Sequence, residues 1–483
     1  MLQVVFLLWI LPILGIVGII IVPDKLKSEL INLIVAIGCF AASLYIVIFA
    51  PYANETLLKH YILISPIGNW VTLCIGIVYL LSSIYAVGYM RLMEVDPKKL
   101  SYFYSLFSGF ALTMFIAPFM NNPGLYWVAI DLTTIVSAFL IGFEKEAESI
   151  EASWKYLIIV SAGLSLGLLG IVLFYWGGTF HLGAVYSMTW ANLHSISKTV
   201  PTVLLLSSFL LVLVGFGTKA GLAPMHTWLP DAHSEGPAPV SAMLSGALLN
   251  IAMLGIVRFL GILKGTKSFE LGHLSLIVLG LFSLFVAALF IVRQDGIKRL
   301  MAYSSIEHIG IITISFGFGG VLGIAGGMYQ MLNHSLTKSL MFFGSGSMMR
   351  HYGSKRIQDI KRILSFFPTI GLIWLLGAIA ITGAPPFGLF LSEFTILRSG
   401  FKGNNSWASW IMGILLISIF ISFLNHFRSM YFGEPMQQEL AIDKPLSKWL
   451  TVPMWLSFIP IVILGFWWPH ALWNFFIMAG KNI

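Results

Sequence analysis

The chain has 483 residues, of which 58% are hydrophobic and 10% charged, and its 28 Lys and Arg against 20 Asp and Glu give a formal charge of +8. Soluble domains carry roughly 25% charged residues, so this composition excludes an ordinary water-soluble globule. The basic residues are scattered through short loops without an aromatic-interleaved patch, which argues against nucleic acid as a partner. The only cysteines, Cys39 and Cys74, lie inside apolar runs and support neither a disulfide framework nor a thiolate metal site, so the chain is expected to hold no cofactor.

Crossing about 30 Å of hydrocarbon takes about 20 apolar residues, and such runs recur from Met1 almost to the C-terminus, with no room for a soluble domain. The first, Met1 to Val22, lacks the basic n-region and small-residue cleavage site of a secretory signal and reads as a span. Hydrophobic blocks between polar or Pro/Gly breaks predict about fourteen spans. Their approximate limits are 1–22, 28–50, 67–91, 102–120, 124–143, 154–176, 203–223, 238–262, 270–293, 297–317, 321–348, 368–398, 405–432 and 449–475. Lys and Arg concentrate in alternate loops: Lys25 and Lys27; Arg91, Lys98 and Lys99; Arg293, Lys298 and Arg299; then Arg350, Lys355, Arg356, Lys361 and Arg362. Those loops should face the cytoplasm, and an even number of spans then leaves both termini outside.

Two spans look broken. One carries Lys219-Ala-Gly-Leu-Ala-Pro224 and then a polar stretch with His226, Asp231 and His233; the other carries Gly383-Ala-Pro385-Pro386-Phe-Gly388 ahead of Glu393. Proline removes a backbone donor, and backbone freed at membrane depth is tolerated only inside protein or along a cavity, so paired breaks in two halves point to a transport route. The halves also match in their buried charges: Asp131, Lys155 and Lys219 in the first, Glu307 with His308, Lys338 and Glu393 in the second. The expected fold is therefore an all-α polytopic membrane protein with two inverted five-helix repeats and two broken helices. It divides into N-terminal helices at 1–101, a first repeat at 102–262, a second at 270–432, and a last helix with its tail at 449–483.

Charges at the centre of an apolar span cost several kcal/mol and need a partner, water or a function. Asp131 is too deep and too short to reach an interface, and is expected to pair with Lys155 on the next helix. Separating such a pair would desolvate the lysine and push its proton onward, whereas the alternative is a static pair ordering two helices. Lys219, flanked by small residues beside the first break, reads as a proton carrier. His334 and Lys338, four residues apart, share a helix face and suit a relay. Glu393, just after the second break, reads as a proton terminal. Glu307 and His308 follow Ser304-Ser305, a pattern that fits either a helix cap or proton transfer. His226, Asp231 and His233 lack a fourth ligand at zinc-like spacing, so a polar turn or proton entry is expected there rather than a metal. No HExxH, GxSxG, P-loop or CxxC motif occurs, and no catalytic centre is expected in the chain itself.

The run Lys219-Ala-Gly-Leu-Ala-Pro-Met-His-Thr-Trp-Leu-Pro-Asp-Ala-His, continuing to Pro239-Val-Ser-Ala-Met-Leu, resembles the hallmark of the proton-conducting antiporter-like membrane subunits. These occur in respiratory complex I, Mrp-type sodium/proton antiporters and group 4 membrane-bound hydrogenases. Lys298-Arg-Leu-Met-Ala-Tyr-Ser-Ser and the segment from His334 to Lys338 fit the same family. Within it, the stretch from Ser234 to Asn250 and Gly383-Ala-Pro-Pro-Phe-Gly most resemble component F of hydrogenase-4 and formate hydrogenlyase-type complexes. The resemblance implies a proton route along a hydrophilic axis, with a carboxylate–lysine pair and a further lysine per half-channel, matched by Asp131, Lys155, Lys219, Lys338 and Glu393.

It also implies partners: other membrane subunits of a redox-driven complex, the bilayer, and protons or sodium as cargo. Two departures stand out, because Asp131 replaces the usual glutamate and Ser245 stands where many relatives have histidine. The chain ends soon after the fourteenth span and so is expected to lack the long lateral helix that caps some complex I subunits. Alternatives from other classes are Mrp-like sodium/proton exchange, inorganic-carbon uptake, and a scaffold that conducts nothing.

Overall fold

The computed structural model describes residues 1–183, 185–434 and 447–481, so the last two residues of the expected C-terminal unit lie outside it. The chain is almost wholly helical. Its helices are α1 (Leu2–Ile21), α2 (Lys25–Phe49), α3 (Pro66–Leu92), α4 (Pro97–Ile116), α5 (Pro123–Ile141), α6 (Ala147–Leu182), α7 (Trp190–Ile196), α8 (Thr202–Ala220), α9 (Trp228–Glu235) and α10 (Ala238–Met243). There follow α11 (Leu249–Ile262), α12 (Ser268–Ile291), α13 (Ile297–Phe318), α14 (Gly320–Tyr352), α15 (Ile363–Phe366), α16 (Pro368–Ile381), α17 (Gly388–Lys402), α18 (Ser406–Phe432), α19 (Lys448–Phe466) and α20 (His470–Lys481). A π turn over Leu244–Leu248 joins α10 to α11. A small antiparallel hairpin, β1 (Glu55–Leu57) and β2 (Ile62–Ile64), lies between α2 and α3.

The helix starts are written locally. Ser65-Pro66, Asp96-Pro97 and Asn122-Pro123 each place a side-chain acceptor at the N-cap and a proline in the first turn, where its missing N–H costs nothing. Asp24 caps α2 in the same way, accepting from the Lys27 amide. Among the described residues, eleven helical stretches are long and apolar enough to cross a membrane on those criteria alone, fewer than the fourteen runs expected. Helices α13 and α14 match two of the remaining runs and are 22 and 33 residues long, but charged and polar side chains interrupt them. Helices α16 and α17, either side of the second break, are 14 and 15 residues long.

Glycine brings helices together where lipid offers no hydrophobic drive. Gly215 of α8 faces Gly167 of α6 so closely that a β-carbon would sit 2.5 Å from the Gly167 Cα, and Gly280 of α12 is packed in the same manner on Gly310 of α13. The stretch Ala238–Ile262 is completely enclosed by other helices, whereas α1 and α18 are each only 28% buried. Polar side chains gather around this enclosed stretch, between α5, α6 and α8 on one side and α13, α14 and α17 on the other.

Candidate functional site

Helix α8 stops at Ala220 because Gly221 takes φ +78° and donates back to the last turn. A side chain could not stand there, since a β-carbon would lie 2.3 Å from Leu229 Cδ1. The carbonyl of Thr218 is taken up by Trp228 Nε1 at 2.8 Å. This leaves Lys219 in the final turn, fully buried. Its Nζ donates to Thr134 Oγ1 and to the Tyr156 hydroxyl, both at 2.7 Å. That hydroxyl also meets Ser137 Oγ at 2.8 Å.

Among the described residues no carboxylate forms an ion pair with Lys219; the acid whose charge acts on it is Asp131, one helical turn before Thr134. Asp131 is half-buried and its Oδ1 is enclosed without a hydrogen bond. It lines a cavity of about 1270 Å³ between α4, α5 and α6, with Lys98, Lys99 and Lys145 among the lining residues.

Lys155 does not meet Asp131, contrary to the expectation from sequence. Its ammonium pairs with Glu151 at 2.5 Å and reaches Asp231 at 3.8 Å. Neighbours on a helix diverge by about 100°, and Tyr156 takes the inward direction that Lys155 would have needed. Asp231 also pairs with Arg299 at 3.2 Å, while Lys355 bonds Glu235 at 2.7 Å and Glu146 at 3.5 Å. These pairs form a charged surface at one end of the bundle, tying α6 and α9 to the start of α13 and the segment after α14. His226 sits just past the first break, half-buried beside Tyr303, and makes no hydrogen bond or ion pair to the other candidates.

The second half repeats the arrangement around Lys338. Its Nζ donates to Ser304 Oγ at 2.5 Å and to the Met301 carbonyl at 3.1 Å, and the acid acting on it is Glu307. Glu307 and His308 lie in the middle of α13, which starts at Ile297, so a capping role is excluded. From Lys338 the row continues one turn back to His334, whose ring centre is 5.6 Å from that of His308. His308 Nδ1 lies 3.2 Å from Gln330 Nε2 and 3.9 Å from Glu393 Oε1. Gln330 Nε2 donates to Glu393 Oε1 at 3.4 Å, and Ser392 donates its hydroxyl proton to Gln330 Oε1. Glu393 lies against the second break, where Gly383 takes φ +68° and a β-carbon would sit 2.0 Å from Oε2.

His233 and Ser245 lie between the two lysines along the chain. His233 is completely buried, 5.4 Å from the Phe342 ring, and neither of its nitrogens has a hydrogen-bond partner among the described residues. His334 is in the same state. Ser245, in the π turn, shares a hydrogen bond of 2.8 Å with Ser305. Of these groups only Gln330 has no place in the reading of the sequence. Gln330 was nonetheless visible, because Gln330, His334 and Lys338 follow one another at four-residue steps on a single face of α14.

Comparison with known proteins identifies the family. The sequence profile described as NADH:quinone oxidoreductase/Mrp antiporter, TM, matches residues 120–422. The chain is 37% identical over 399 residues to the hydrogenase-4 component F homolog of Methylacidiphilum infernorum (isolate V4), covering 82% of each sequence. Its fold superposes with TM-score 0.88 on a chain of the membrane-bound sulfane sulfur reductase, an archaeal respiratory membrane complex, at 22% identity and over 99% and 97% of the two chains. The Mrp complex of Dietzia sp. DQ12-45-1b contains a chain that superposes with TM-score 0.87 at 16% identity, over 99% and 96%. The chain is therefore a multi-pass membrane protein of the NADH:quinone oxidoreductase/Mrp antiporter family, an antiporter-like subunit of the kind found in complex I, Mrp and hydrogenase-type assemblies.

Proposed function

We propose that this chain carries protons through the bilayer as the antiporter-like subunit of a redox-driven complex of the group 4 hydrogenase or formate hydrogenlyase type, whose redox chemistry lies in other subunits. One observation carries the reading: ionisable side chains inside the bundle run from the half-buried Asp131 to the buried Lys219, His233, Lys338, His334, His308 and Glu393. Burying so many titratable groups costs several kcal/mol each and does not stabilise a membrane bundle better than apolar packing. Each lysine is held by hydroxyl or carbonyl acceptors rather than by a tight carboxylate, so it can give up its proton without breaking an ion pair. The hydrogen-bonding capacity of His233 and His334 is not consumed by the protein, as a relay between lysines requires.

In this reading Asp131 and Glu307 are the charges that set when Lys219 and Lys338 hold a proton, and Glu393 exchanges it at the far end. The component F relative supports the hydrogenase-type assignment over an Mrp-type sodium exchanger. The test is proton uptake by proteoliposomes containing the whole complex. Lys219→Ala and Glu393→Ala should each leave assembly and electron transfer intact and abolish acidification. Unchanged acidification would instead favour a scaffold that conducts nothing, and acidification dependent on sodium would favour exchange.

A further inference from the structure

The end of the bundle opposite the charged surface holds a second polar site that the proton row does not use. There the hairpin, the turn before α5, α7 and the C-terminal end of α11 enclose a cavity of about 650 Å³. Arg258 of α11 lies in its wall. Nη2 of Arg258 donates to the Pro118 carbonyl at 2.6 Å and to Ser65 Oγ at 3.3 Å, and the guanidinium packs 5.4 Å from the Tyr126 ring and 5.5 Å from the Trp190 ring. Among the described residues Arg258 forms no ion pair, and those that line the cavity include neither Asp nor Glu.

The bonds to Pro118 and Ser65 explain why a donor stands at this position, because they tie α11 to the turn before α5. They use the donors rather than the charge, and the charge itself is met only by the faces of the Tyr126 and Trp190 rings. A guanidinium cannot shed its proton, and taking it out of water without a counter-ion costs several kcal/mol. An anion in the cavity would offset that cost. Nη1 of Arg258 also reaches the Met120 carbonyl at 3.5 Å, so the donors left for an anion are the Nε–H and one hydrogen on Nη1, with the Asn54 amide in the same lining, and a single tetrahedral oxyanion has oxygens enough for all of them.

We infer that the cavity beside Arg258 binds a phosphate oxyanion, presented by the headgroup of a phospholipid or by free inorganic phosphate. The experiment uses the intact complex and two variants. Thr56→Glu places a negative charge at the exposed mouth and gives up only the bond to His60, and Arg258→Gln removes the charge together with most of the donors. Radiolabelled phosphate binding is measured on complex stripped of lipid, and retained phosphatidylglycerol by native mass spectrometry on complex released from nanodiscs. Each variant should weaken binding about tenfold or more, the equivalent of roughly 1.4 kcal/mol. Binding of inorganic phosphate by the wild type assigns a free anion, and retention of lipid alone assigns a headgroup. The inference is overturned if the wild type retains neither ligand above the Thr56→Glu level. Should Arg258→Gln fail to assemble, Thr56→Glu alone decides.

Discussion

The ammonium of Lys219 and the phenol of Tyr156 meet at 2.7 Å across the glycine-lined contact of α8 with α6. The same phenol reaches Ser137, so the lysine is joined through one hydroxyl to a polar strip on α5. Hydrogen bonds to a charged group contribute about 1.5–3 kcal/mol. Tyr156→Phe keeps the ring packed on Trp228 and deletes only the oxygen. Proton translocation by the complex should fall about tenfold or more and the thermal midpoint by a few degrees, as read by vesicle acidification and differential scanning fluorimetry. A variant that pumps normally would mean that Lys219 does not depend on this acceptor.

Glu307 and Lys338 form the counterpart of Asp131 and Lys219 in the other half, and the two acids should behave alike. Glu307→Gln and Asp131→Asn each remove one negative charge while preserving shape. Translocation should drop to about a tenth or less in each single variant if, as proposed, protons pass through both halves in series, for then either substitution stops them. Acidification above half the wild-type rate in Glu307→Gln would remove Glu307 from the route. A selective effect of Asp131→Asn would then confine transport to the first half.

Much of this fold is legible in the sequence, because membrane spans and their starts are written locally. A capping side chain ahead of proline, as in Asn122-Pro123, fixes a helix start, and the Gly and Pro pairs at 221–224 and 383–388 mark the breaks. The ionisable residues of the row are legible too, since each is an expensive exception within an apolar run. What sequence does not supply is direction. Lys155 and Tyr156 are adjacent, and only the packing of α6 on α8 decides that the phenol faces inward and the ammonium faces Glu151 and Asp231. The capping alternative for Glu307 stays open for a related reason, as Ser304-Ser305 resembles a cap until α13 is seen to begin seven residues before Ser304.

Lys155 therefore carries a prediction of the opposite kind. Its bond to Glu151 is an exposed pair at four-residue spacing, of the kind that contributes little in water. Its reach to Asp231 at 3.8 Å adds little beyond that. Lys155→Ala should assemble normally and pump at a rate near the wild type, in contrast to Lys219→Ala. Equal losses in the two variants would return Lys155 to the proton route.

Gly383 and Glu393 are coupled by space alone, and that coupling can be measured. At φ +68° a residue with a β-carbon pays about 1 kcal/mol, and here the added carbon would also press on Glu393 Oε2 at 2.0 Å. The carboxylate would have to swing away from the break, losing the Gln330 amide that now donates to it at 3.4 Å. Gly383→Ala should accordingly lower both thermal stability and acidification, although no ionisable group has been touched. Adding Glu393→Ala removes the clash, so the double variant should recover about 1–3 kcal/mol relative to the sum of the single variants while remaining unable to pump. Strict additivity would show that the backbone strain at Gly383 acts by itself, and that the break does not position the carboxylate.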